Sequence, residues 1–255
     1  MSDILRQFKN YIEMLKESGI DFLPKVPKEN HATQSVLMNV DDEVNDSISE
    51  AGFTELKRVV LKCTKCSELA SKRKTVVFGA GNFKAQLVFV GEAPGHDEDL
   101  QGLPFVGMAG QLLTKIIKSI GLKREDVFIC NVLKCRPPGN RNPLPQEIFN
   151  CEPYLIEQIR FIRPKIICAL GTFAAQTLLK TDQRISSLRG KFHHYQGSKL
   201  LCTFHPAYLL RNPEEKRKVW EDMKMIRAEL TSTRTELRPH LPLERSAPTG
   251  ESSVV

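Results

Sequence analysis

Residues 85–95 read AQLVFVGEAPG, an apolar run that breaks into a turn rich in glycine and proline. A continuous apolar run of this length predicts a strand buried on both faces, with a loop at its carboxyl end. Three more such runs follow, and stretches with helical periodicity separate them. Strands that alternate with helices in this way predict a mostly parallel, four-stranded sheet with helices on both faces.

The predicted elements occupy the middle of the chain. The strands are expected at 85–91, 127–135, 165–171 and 198–206, and the helices at 105–122, 145–162, 172–180 and 213–230. Residues 1–50 form a predicted extension, with a short amphipathic helix (1–20) and a proline-containing, acidic linker (21–48). Residues 232–255 are expected to be a disordered tail. The folded domain should therefore cover residues 51–231.

The composition excludes an integral membrane protein. Of the 255 residues, 41% are hydrophobic and 26% are charged, which suits one α/β domain. No apolar run approaches the ~20 residues that a membrane span needs. Because the N-terminal stretch also lacks the apolar core of a signal peptide, we expect an intracellular, cytoplasmic protein.

Charge is distributed unevenly along the chain. Residues 1–50 hold 5 Lys or Arg and 10 Asp or Glu, a net charge of −5, whereas the whole chain carries +7. The rest of the chain therefore carries a net charge of +12. A basic body favours a polyanionic partner, with nucleic acid as the first candidate. The acidic extension is a candidate segment for binding another protein.

Seven cysteines in a chain without an export signal argue against a disulfide framework. Cys63 and Cys66 form a C-x2-C turn, Cys135 follows after 68 intervening residues, and Cys151 after 15 more. Four thiolates in this pattern fit zinc and a [4Fe–4S] cluster alike. Alternatively, Cys135 and Cys151 are ordinary thiols beside an incidental C-x2-C. The remaining cysteines lie inside predicted strands and are expected to pack in the core, namely Cys130, Cys168 and Cys202.

Polar residues mark the carboxyl ends of three predicted strands. Glu92 follows the first strand, Asn131 lies in the second, and His205 ends the fourth. Ligands of open parallel sheets bind at this edge, so we expect the three side chains to converge there. Glu92 is a candidate general base, and Asn131 either satisfies neighbouring backbone or reads a nucleobase edge. Asp97 and Asp99, by contrast, are expected in a solvated acidic loop.

Several residues near these strand ends leave two interpretations open. Phe105 is either a core residue, which its spacing favours, or an aromatic shelf for a flat ligand. The stretch HPAYLLR (205–211) is either a helix start with buried leucines or an apolar wedge followed by a phosphate-binding arginine. Arg136 and Arg141 are either phosphate ligands or solvated loop charges.

Taken together, these motifs resemble the family 4 uracil-DNA glycosylases, the iron–sulfur branch of the uracil-DNA glycosylase superfamily. The matching stretches are CTKC (63–66), GEAPGHDEDLQGLPFVGMAGQLL (91–113), NVLKCRPPGNRNPLPQEIFNC (131–151) and HPAYLLR (205–211). The resemblance implies a three-layer α/β/α domain. It also implies a structural [4Fe–4S] cluster, rather than zinc, on Cys63, Cys66, Cys135 and Cys151.

The resemblance further implies that uracil is flipped out of DNA into this site. Phe105 is expected to stack on the base, Asn131 to read its edge and His205 to hydrogen-bond its O2. Glu92 is expected to activate water. The other implied pocket residues are Gly91, Ala93 and Glu98, the last of which is a second acid of the family motif.

Contacts to uracil-containing DNA outside the pocket are implied as well. Tyr208 or Leu209 is expected to fill the gap that the flipped base leaves, and Arg211, Arg136 and Arg141 to contact phosphate. The implied reaction is hydrolysis of the N-glycosidic bond by a monomer, leaving an abasic site. Since no lysine occupies a matched motif position for a Schiff base, strand cleavage is not expected.

Two other functions use the same features differently. An iron–sulfur electron carrier would need the four cysteines but neither Asn131 nor the HPAYLLR stretch. A non-catalytic iron–sulfur module that binds nucleic acid would suit the basic body, and it would tolerate loss of Glu92 or His205.

Overall fold

The computed structural model describes residues 50–236. The predicted N-terminal helix (1–20) and linker (21–48) lie outside the described residues, as does the end of the predicted tail (237–255). Of the helices in residues 50–236, none is both long and apolar enough to cross a membrane.

The middle layer of the described residues is a six-stranded sheet. Its strands are β1 (Ala80–Gly81), β2 (Leu87–Gly91), β3 (Phe128–Asn131), β4 (Ile166–Leu170), β5 (Phe192–Tyr195) and β6 (Ser198–Thr203). Their order across the sheet is β1-β3-β2-β4-β6-β5, and the four central strands are parallel. These four carry the predicted apolar runs, and their side chains are buried almost throughout because helices cover both faces.

The sequence analysis predicts four strands and misses the two edge strands. β1 has only two residues and pairs antiparallel with β3. β5 pairs antiparallel with β6 through the two-residue turn Gln196–Gly197, whose φ angles of 46° and 85° are typical of a type I′ hairpin. Neither edge carries a continuous apolar run, so the hydrophobic pattern gives no signal for them.

Helices cover the sheet on both faces. They are α1 (50–61), α2 (Ser67–Lys72), α3 (His96–Gln101), α4 (Met108–Ser119), α5 (Pro145–Ile162), α6 (Thr172–Leu179), α7 (Ile185–Leu188), α8 (Pro206–Arg211) and α9 (Lys216–Glu236). α1, α2, α5 and α6 share one buried cluster with the sheet, and α4, α8 and α9 share another. Alternate strand residues belong to the two clusters, so the domain has the expected three α/β/α layers.

The last helix differs from its prediction. α9 continues to Glu236, so the tail expected from residue 232 does not begin there. The hydroxyls of Thr231 and Ser232 donate to the main-chain oxygens of Ala228 and Glu229, at 3.0 and 2.9 Å. Such bonds to the preceding turn keep short polar side chains compatible with a helix. A polar composition alone therefore did not mark the end of this element.

The carboxyl ends of the parallel strands meet at one edge of the sheet, as the sequence predicts. Gly91 and Asn131 are register partners at the ends of β2 and β3. Gly171 follows β4 with a φ of 88°, and a Cβ atom there would lie 2.9 Å from Cβ of His205. Glycine at this position therefore lets the segment after β6 approach, which brings His205 to the same edge as Glu92 and Asn131.

Candidate functional site

A pocket of about 430 Å³ opens at this edge of the sheet. Most of the residues predicted for the site line it together: Glu92, Ala93, Glu98, Phe105, Asn131, Arg141, His205, Tyr208 and Arg211. Gly91 lies directly behind two of them, Asn131 and Phe105. Arg136 and Leu209 are outside the lining. The expected convergence of Glu92, Asn131 and His205 is therefore present in the structure.

Asn131 lines the pocket and has a buried, unpaired side-chain acceptor. The residue is 1% exposed, and its side-chain Oδ1 has no hydrogen-bond partner within the described part of the chain. A buried acceptor without a partner costs about 1–3 kcal/mol, so such groups call for a specific explanation. A ligand with an N–H donor would satisfy it.

Gly91 makes room for the two side chains that form the base of the pocket. A Cβ atom at this position would lie 2.3 Å from Oδ1 of Asn131 and 2.6 Å from Cζ of Phe105. Both distances are far below van der Waals contact, so any larger residue would displace the amide or the ring. The glycine before Glu92 is therefore a steric requirement of the pocket.

Phe105 is held in an unusual backbone conformation. Its φ is 52°, a region that residues other than glycine rarely adopt and that surrounding contacts must maintain. Arg124 Nη2 donates to the oxygen of Pro104, and a Cβ atom on Gly110 would lie 1.9 Å from the oxygen of Phe105. The start of α4 therefore packs directly on this turn.

The Phe105 ring occupies both of the positions that the sequence left open. It belongs to the buried core cluster beneath α4 and also lines the pocket. Its centroid lies 5.5 Å from that of His205, with 34° between the ring planes. Two aromatic rings therefore lie next to each other in the pocket lining.

His205 is a neutral imidazole whose tautomer is set by the main chain. Burial lowers the pKa of His205 to about 4, and the positive charge of Arg211 acts in the same direction. Nδ1 accepts a hydrogen bond from the main-chain N of Ala207 at 3.1 Å. A neutral ring that accepts at Nδ1 carries its proton on Nε2. His205 is therefore a neutral N–H donor at physiological pH.

Glu92 is the carboxyl group with a raised pKa in this pocket. It is partly buried just after β2, and burial raises its pKa above the usual range. A carboxylate that is poorly solvated takes up a proton more readily, which suits a general base. Its main-chain oxygen accepts from Leu133 N at 3.0 Å, so the residue is fixed to the segment after β3.

Glu98 holds the pocket loops together instead of offering a free acid. Oε1 accepts from the main-chain N of Val106 at 2.8 Å and of Gly107 at 3.0 Å, and Oε2 accepts from Gly95 N at 3.1 Å. The carboxylate thus ties the start of α3 to the segment that carries Phe105. This arrangement differs from an acid that acts on the ligand itself.

The loop after β2 is more ordered than the sequence suggests. Its acidic run forms α3, in which Asp97 is exposed as expected but Asp99 is buried. Oδ1 of Asp99 accepts from the main-chain N of Lys74 at 2.9 Å and of Thr75 at 3.2 Å. The prediction of a solvated Asp99 is therefore wrong, because its carboxylate satisfies buried backbone donors.

Arg141 is committed to two carboxylates. Its guanidinium forms a bidentate pair with Glu147, with Nη2 to Oε1 at 2.6 Å and Nη1 to Oε2 at 3.0 Å, and Nη2 also reaches Glu68 at 3.0 Å. Glu147 is buried at the start of α5, and Glu68 belongs to α2. Arg141 thus joins the pocket loop to both helices, which differs from the expected phosphate contact.

Two other arginines are more available to a polyanion. Arg136 donates to Oδ1 of Asn140 at 2.7 Å and lies 3.0 Å from Nδ1 of His96, so its partners carry no negative charge. Arg211 is exposed at the rim of the pocket, at the end of α8.

The apolar residues of α8 face opposite ways. Leu209 is fully buried in the core cluster with α4 and α9, so the prediction that it faces DNA is wrong. Tyr208 and Leu210 are 37% and 40% exposed. Leu209 lies on the face of α8 that packs against α4 and α9, so its two neighbours in the sequence point outward. The exposed leucine is the one that the sequence analysis did not select.

The four predicted ligand cysteines surround one cavity. Cys63, Cys66, Cys135 and Cys151 all line it, at the junction of α1, α2 and α5. Within residues 50–236, no three Cys, His, Asp or Glu side chains lie close enough together to share a single metal ion. The other three cysteines are buried packing residues, as predicted: Cys130, Cys168 and Cys202.

Three of the four thiols of this cavity have a hydrogen-bond donor beside them. Arg73 Nη1 donates to Cys135 Sγ at 3.1 Å, Lys134 N to Cys151 Sγ at 3.2 Å, and Asn150 Nδ2 to Cys66 Sγ at 3.5 Å. Tyr154 also lines the cavity. Burial raises the pKa of Cys151 to about 12. Donors aimed at sulfur are the usual surroundings of thiolates that ligate a metal or cluster.

Sequence reasoning missed Lys134, Arg124 and Leu210. Lys134 is fully buried, and its position inside the apolar run VFICNVLKC was an available signal. Arg124 acts through a contact 20 residues away, with the oxygen of Pro104. No local sequence pattern predicts that contact.

Comparisons with known proteins agree with this geometry. The family model of the uracil DNA glycosylase superfamily matches residues 78–224. The chain is similar to proteins named type-4 uracil-DNA glycosylase. One, from Archaeoglobus fulgidus, is 46% identical over 180 residues, which cover 68% of this chain and 90% of the relative. Another, from Saccharolobus solfataricus, is 48% identical over 182 residues, covering 68% and 84%. A third, from Thermotoga maritima, is 46% identical over 173 residues, covering 66% and 90%.

The neutral state of His205 gives a testable expectation. With a pKa lowered from 6.5 to about 4, the ring stays neutral throughout pH 6–8. Because the lowered pKa means that protonation favours the unfolded chain, the stability linked to this group is complete above pH 6.5 and falls between pH 6.5 and 4. A ¹⁵N NMR titration of the imidazole should show no protonation above pH 6, and a pKa near 6.5 would contradict the assignment.

Proposed function

This chain belongs to the uracil-DNA glycosylase superfamily and, within it, to the type-4 uracil-DNA glycosylases, and from this premise we propose how its residues act. The activity is hydrolysis of the N-glycosidic bond of uracil in DNA, a reaction of DNA repair. One observation carries the proposal for the site: the unpaired Oδ1 of buried Asn131, in a pocket with Phe105 and a neutral His205.

Asn131 selects uracil by the order of donor and acceptor on the base edge. Oδ1 accepts from N3–H of the flipped base, and Nδ2 donates to O4. Cytosine presents an acceptor at N3 and an amino donor at C4, so both contacts would be mispaired. Buried mispaired groups cost about 1–3 kcal/mol each, which makes this discrimination strong. Phe105 supplies the surface on which the base stacks.

His205 stabilises the leaving group. As the N1–C1′ bond breaks, its electron pair moves onto uracil, and negative charge grows on O2. The Nε2–H of His205 donates to that oxygen. Because the ring is neutral and its tautomer is already set by Ala207, the donor needs no rearrangement during the reaction.

Glu92 activates the water. Its carboxylate takes a proton from a water molecule whose oxygen forms the new bond to C1′, and its negative charge faces the cationic sugar. The proton then replaces the lost bond at N1 of uracil, so the products are free uracil and an abasic site. Among the described residues that line the pocket there is no lysine, so a Schiff base and strand cleavage are not part of the mechanism.

Gly91, Ala93 and Glu98 shape the pocket without moving protons. Gly91 leaves the space that Asn131 and Phe105 occupy. Ala93 forms part of the wall after β2. Glu98 positions the two loops on either side of the base through its three backbone contacts.

The DNA strand runs along the rim formed by α8 and the loop after β3. Arg211 and Arg136 contact phosphate, and Tyr208 or Leu210 fills the gap that the flipped base leaves. Leu209 is not part of this surface, because it is buried. Arg141 orders the loop through Glu147 instead of contacting phosphate.

The four-thiol cavity fits a [4Fe–4S] cluster. The support is the ligand set: four cysteines line one cavity, and three of them have a hydrogen-bond donor at their sulfur. When bound, the cluster supplies a cross-link between α1, α2, the segment after β3 and α5, and no bond-making at the base.

The partners follow from the substrate. We place the enzyme in the cytoplasm with uracil-containing DNA, acting as a monomer because one chain supplies all the pocket residues named above. We propose that the acidic residues 1–50 bind another protein. A second candidate function, a non-catalytic module that binds nucleic acid, differs in requiring neither Glu92 nor His205.

The activity test is cleavage of a labelled uracil-containing oligonucleotide after alkali. Wild type should leave alkali-labile sites at uracil alone. His205→Ala should lose about 10²–10³-fold in single-turnover rate, Glu92→Gln about 10²–10⁴-fold, and Asn131→Asp most of the rate. Asp97→Asn, an exposed acid of the same loop, is the control and should keep the rate. An inactive wild type with a full iron content would favour the non-catalytic module.

Leu209 and Leu210 should separate stability from DNA binding. Leu209→Ala removes a fully buried side chain and should lower the free energy of unfolding by about 2–5 kcal/mol. Leu210→Ala should change it by less than about 0.5 kcal/mol but weaken uracil excision from duplex DNA more than from single strands, since only the duplex has a gap to fill. Chemical denaturation and excision assays measure the two effects. If Leu209→Ala instead weakened excision from duplex DNA and Leu210→Ala lowered the stability, Leu209 would be the residue that contacts DNA.

The thiol site predicts iron. Purified protein should contain about four iron atoms and four labile sulfides per chain, as a [4Fe–4S] cluster requires. Cys135→Ser and Cys151→Ser should lose most of both, whereas Cys168→Ser, in the core and away from the cavity, should keep them. Elemental analysis measures the metal content of each variant. Stoichiometric zinc in place of iron would contradict the proposal.

A further inference from the structure

Lys134 is a fully buried lysine between the pocket and the thiol cavity. It is 1% exposed, and it lines that cavity. Its Nζ donates to the main-chain oxygen of Asn131 at 2.7 Å and to Oε1 of Gln158 at 2.6 Å. Its main-chain N donates to Sγ of Cys151 at 3.2 Å. One residue therefore contacts both Asn131 and the thiol site.

The surroundings of Lys134 keep its Nζ atom in place. Gln158 is itself fully buried in α5, and its Nε2 donates to the main-chain oxygen of Phe78 at 2.8 Å. The main-chain oxygen of Lys134 accepts from Val77 N at 2.8 Å. Both ends of the lysine are thus fixed by residues outside the pocket. The Nζ atom has little freedom to move away from Asn131.

Packing alone does not account for a lysine at this position. Burying a polar amine costs free energy, and an apolar side chain of similar length would fill the space at lower cost. The described residues give Lys134 two neutral oxygens as acceptors and no carboxylate. One of these acceptors belongs to Asn131, whose side-chain Oδ1 is the unpaired acceptor of the pocket.

We propose that Lys134 is a positioning residue for uracil recognition, whose Nζ donor fixes the main chain of Asn131 and thereby aims its amide at the base. The inference rests on the proposed function, because that function makes Asn131 the reader of uracil. Asn131 ends β3, and the following Val132 and Leu133 donate to the oxygens of Gly91 and Glu92 at 2.9 and 3.0 Å. Lys134 adds a side-chain bond at the residue where regular strand pairing stops.

A double-mutant cycle on the full-length, iron-loaded protein tests this role. Lys134→Met removes the Nζ donor and keeps an unbranched apolar side chain. It should lower the single-turnover rate of uracil release about 10–100-fold, as small displacements of a recognition group do. In the Asn131→Ala background, the same change should cost less than about 3-fold, because its effect passes through the missing amide.

Two controls separate positioning from general damage. Iron content and the far-UV circular dichroism spectrum of Lys134→Met should match those of the wild type. Thr177→Val removes a buried hydroxyl in α6, away from the pocket, and should leave the rate unchanged in both backgrounds. If Lys134→Met does not fold, Gln158→Met takes its place in the cycle, since it removes the second acceptor and keeps the lysine. Gln158→Met should lower the single-turnover rate several-fold, which is less than the loss expected for Lys134→Met. This loss should also disappear in the Asn131→Ala background.

The possible outcomes distinguish a failure of this inference from a failure of the proposed function on which it rests. Equal losses in the two backgrounds would overturn the positioning role while leaving uracil excision intact. A wild-type protein that holds iron but releases no uracil would instead overturn the proposed function. A loss of rate that follows loss of iron would show that Lys134 only maintains the thiol site, and it too would overturn the inference.

Discussion

The close approach of β2 to Asn131 and Phe105 is the constraint on which the pocket depends. Gly91 has no Cβ, and any larger residue there would collide with both the amide and the ring. The contact is possible only because β2 and β3 are parallel neighbours whose ends are in register. Glu98 and Arg124 then hold the loop that presents the ring. The pairing of β2 with β3 therefore determines how closely Asn131 and Phe105 approach Gly91 in the pocket.

The hydrophobic pattern predicted the parts of the fold that are buried on both faces. The apolar runs became the four central strands, and the helix expected at 145–162 has the bounds of α5, with Pro145 in its first turn. The strand ends also located Glu92, Asn131 and His205, since a parallel sheet gathers its carboxyl ends on one edge. These features depend on local composition and one topological rule, so one sequence sufficed.

Features that depend on contacts between distant segments could not be predicted in this way. Which leucine of α8 points inward is decided by how that short helix meets α4 and α9, not by its own sequence. Arg141 resembles a free loop charge until Glu147 and Glu68 are brought beside it by folding. Asp99 likewise looks solvated until the segment at Lys74 reaches it. In each case the partner is remote or its orientation is unknown from local spacing.

The neutral imidazole of His205 also bears on what happens after the bond has broken. A cationic ring in a poorly solvated pocket would form a tight ion pair with the uracil anion, and that attraction would persist as long as the anion did. A neutral donor contributes only a hydrogen bond, whose strength falls once uracil has regained a proton. If His205 bonds uracil as proposed, the low basicity that burial imposes on it weakens retention of the free base. The desolvated imidazole would thereby favour product release and keep the site available for the next lesion.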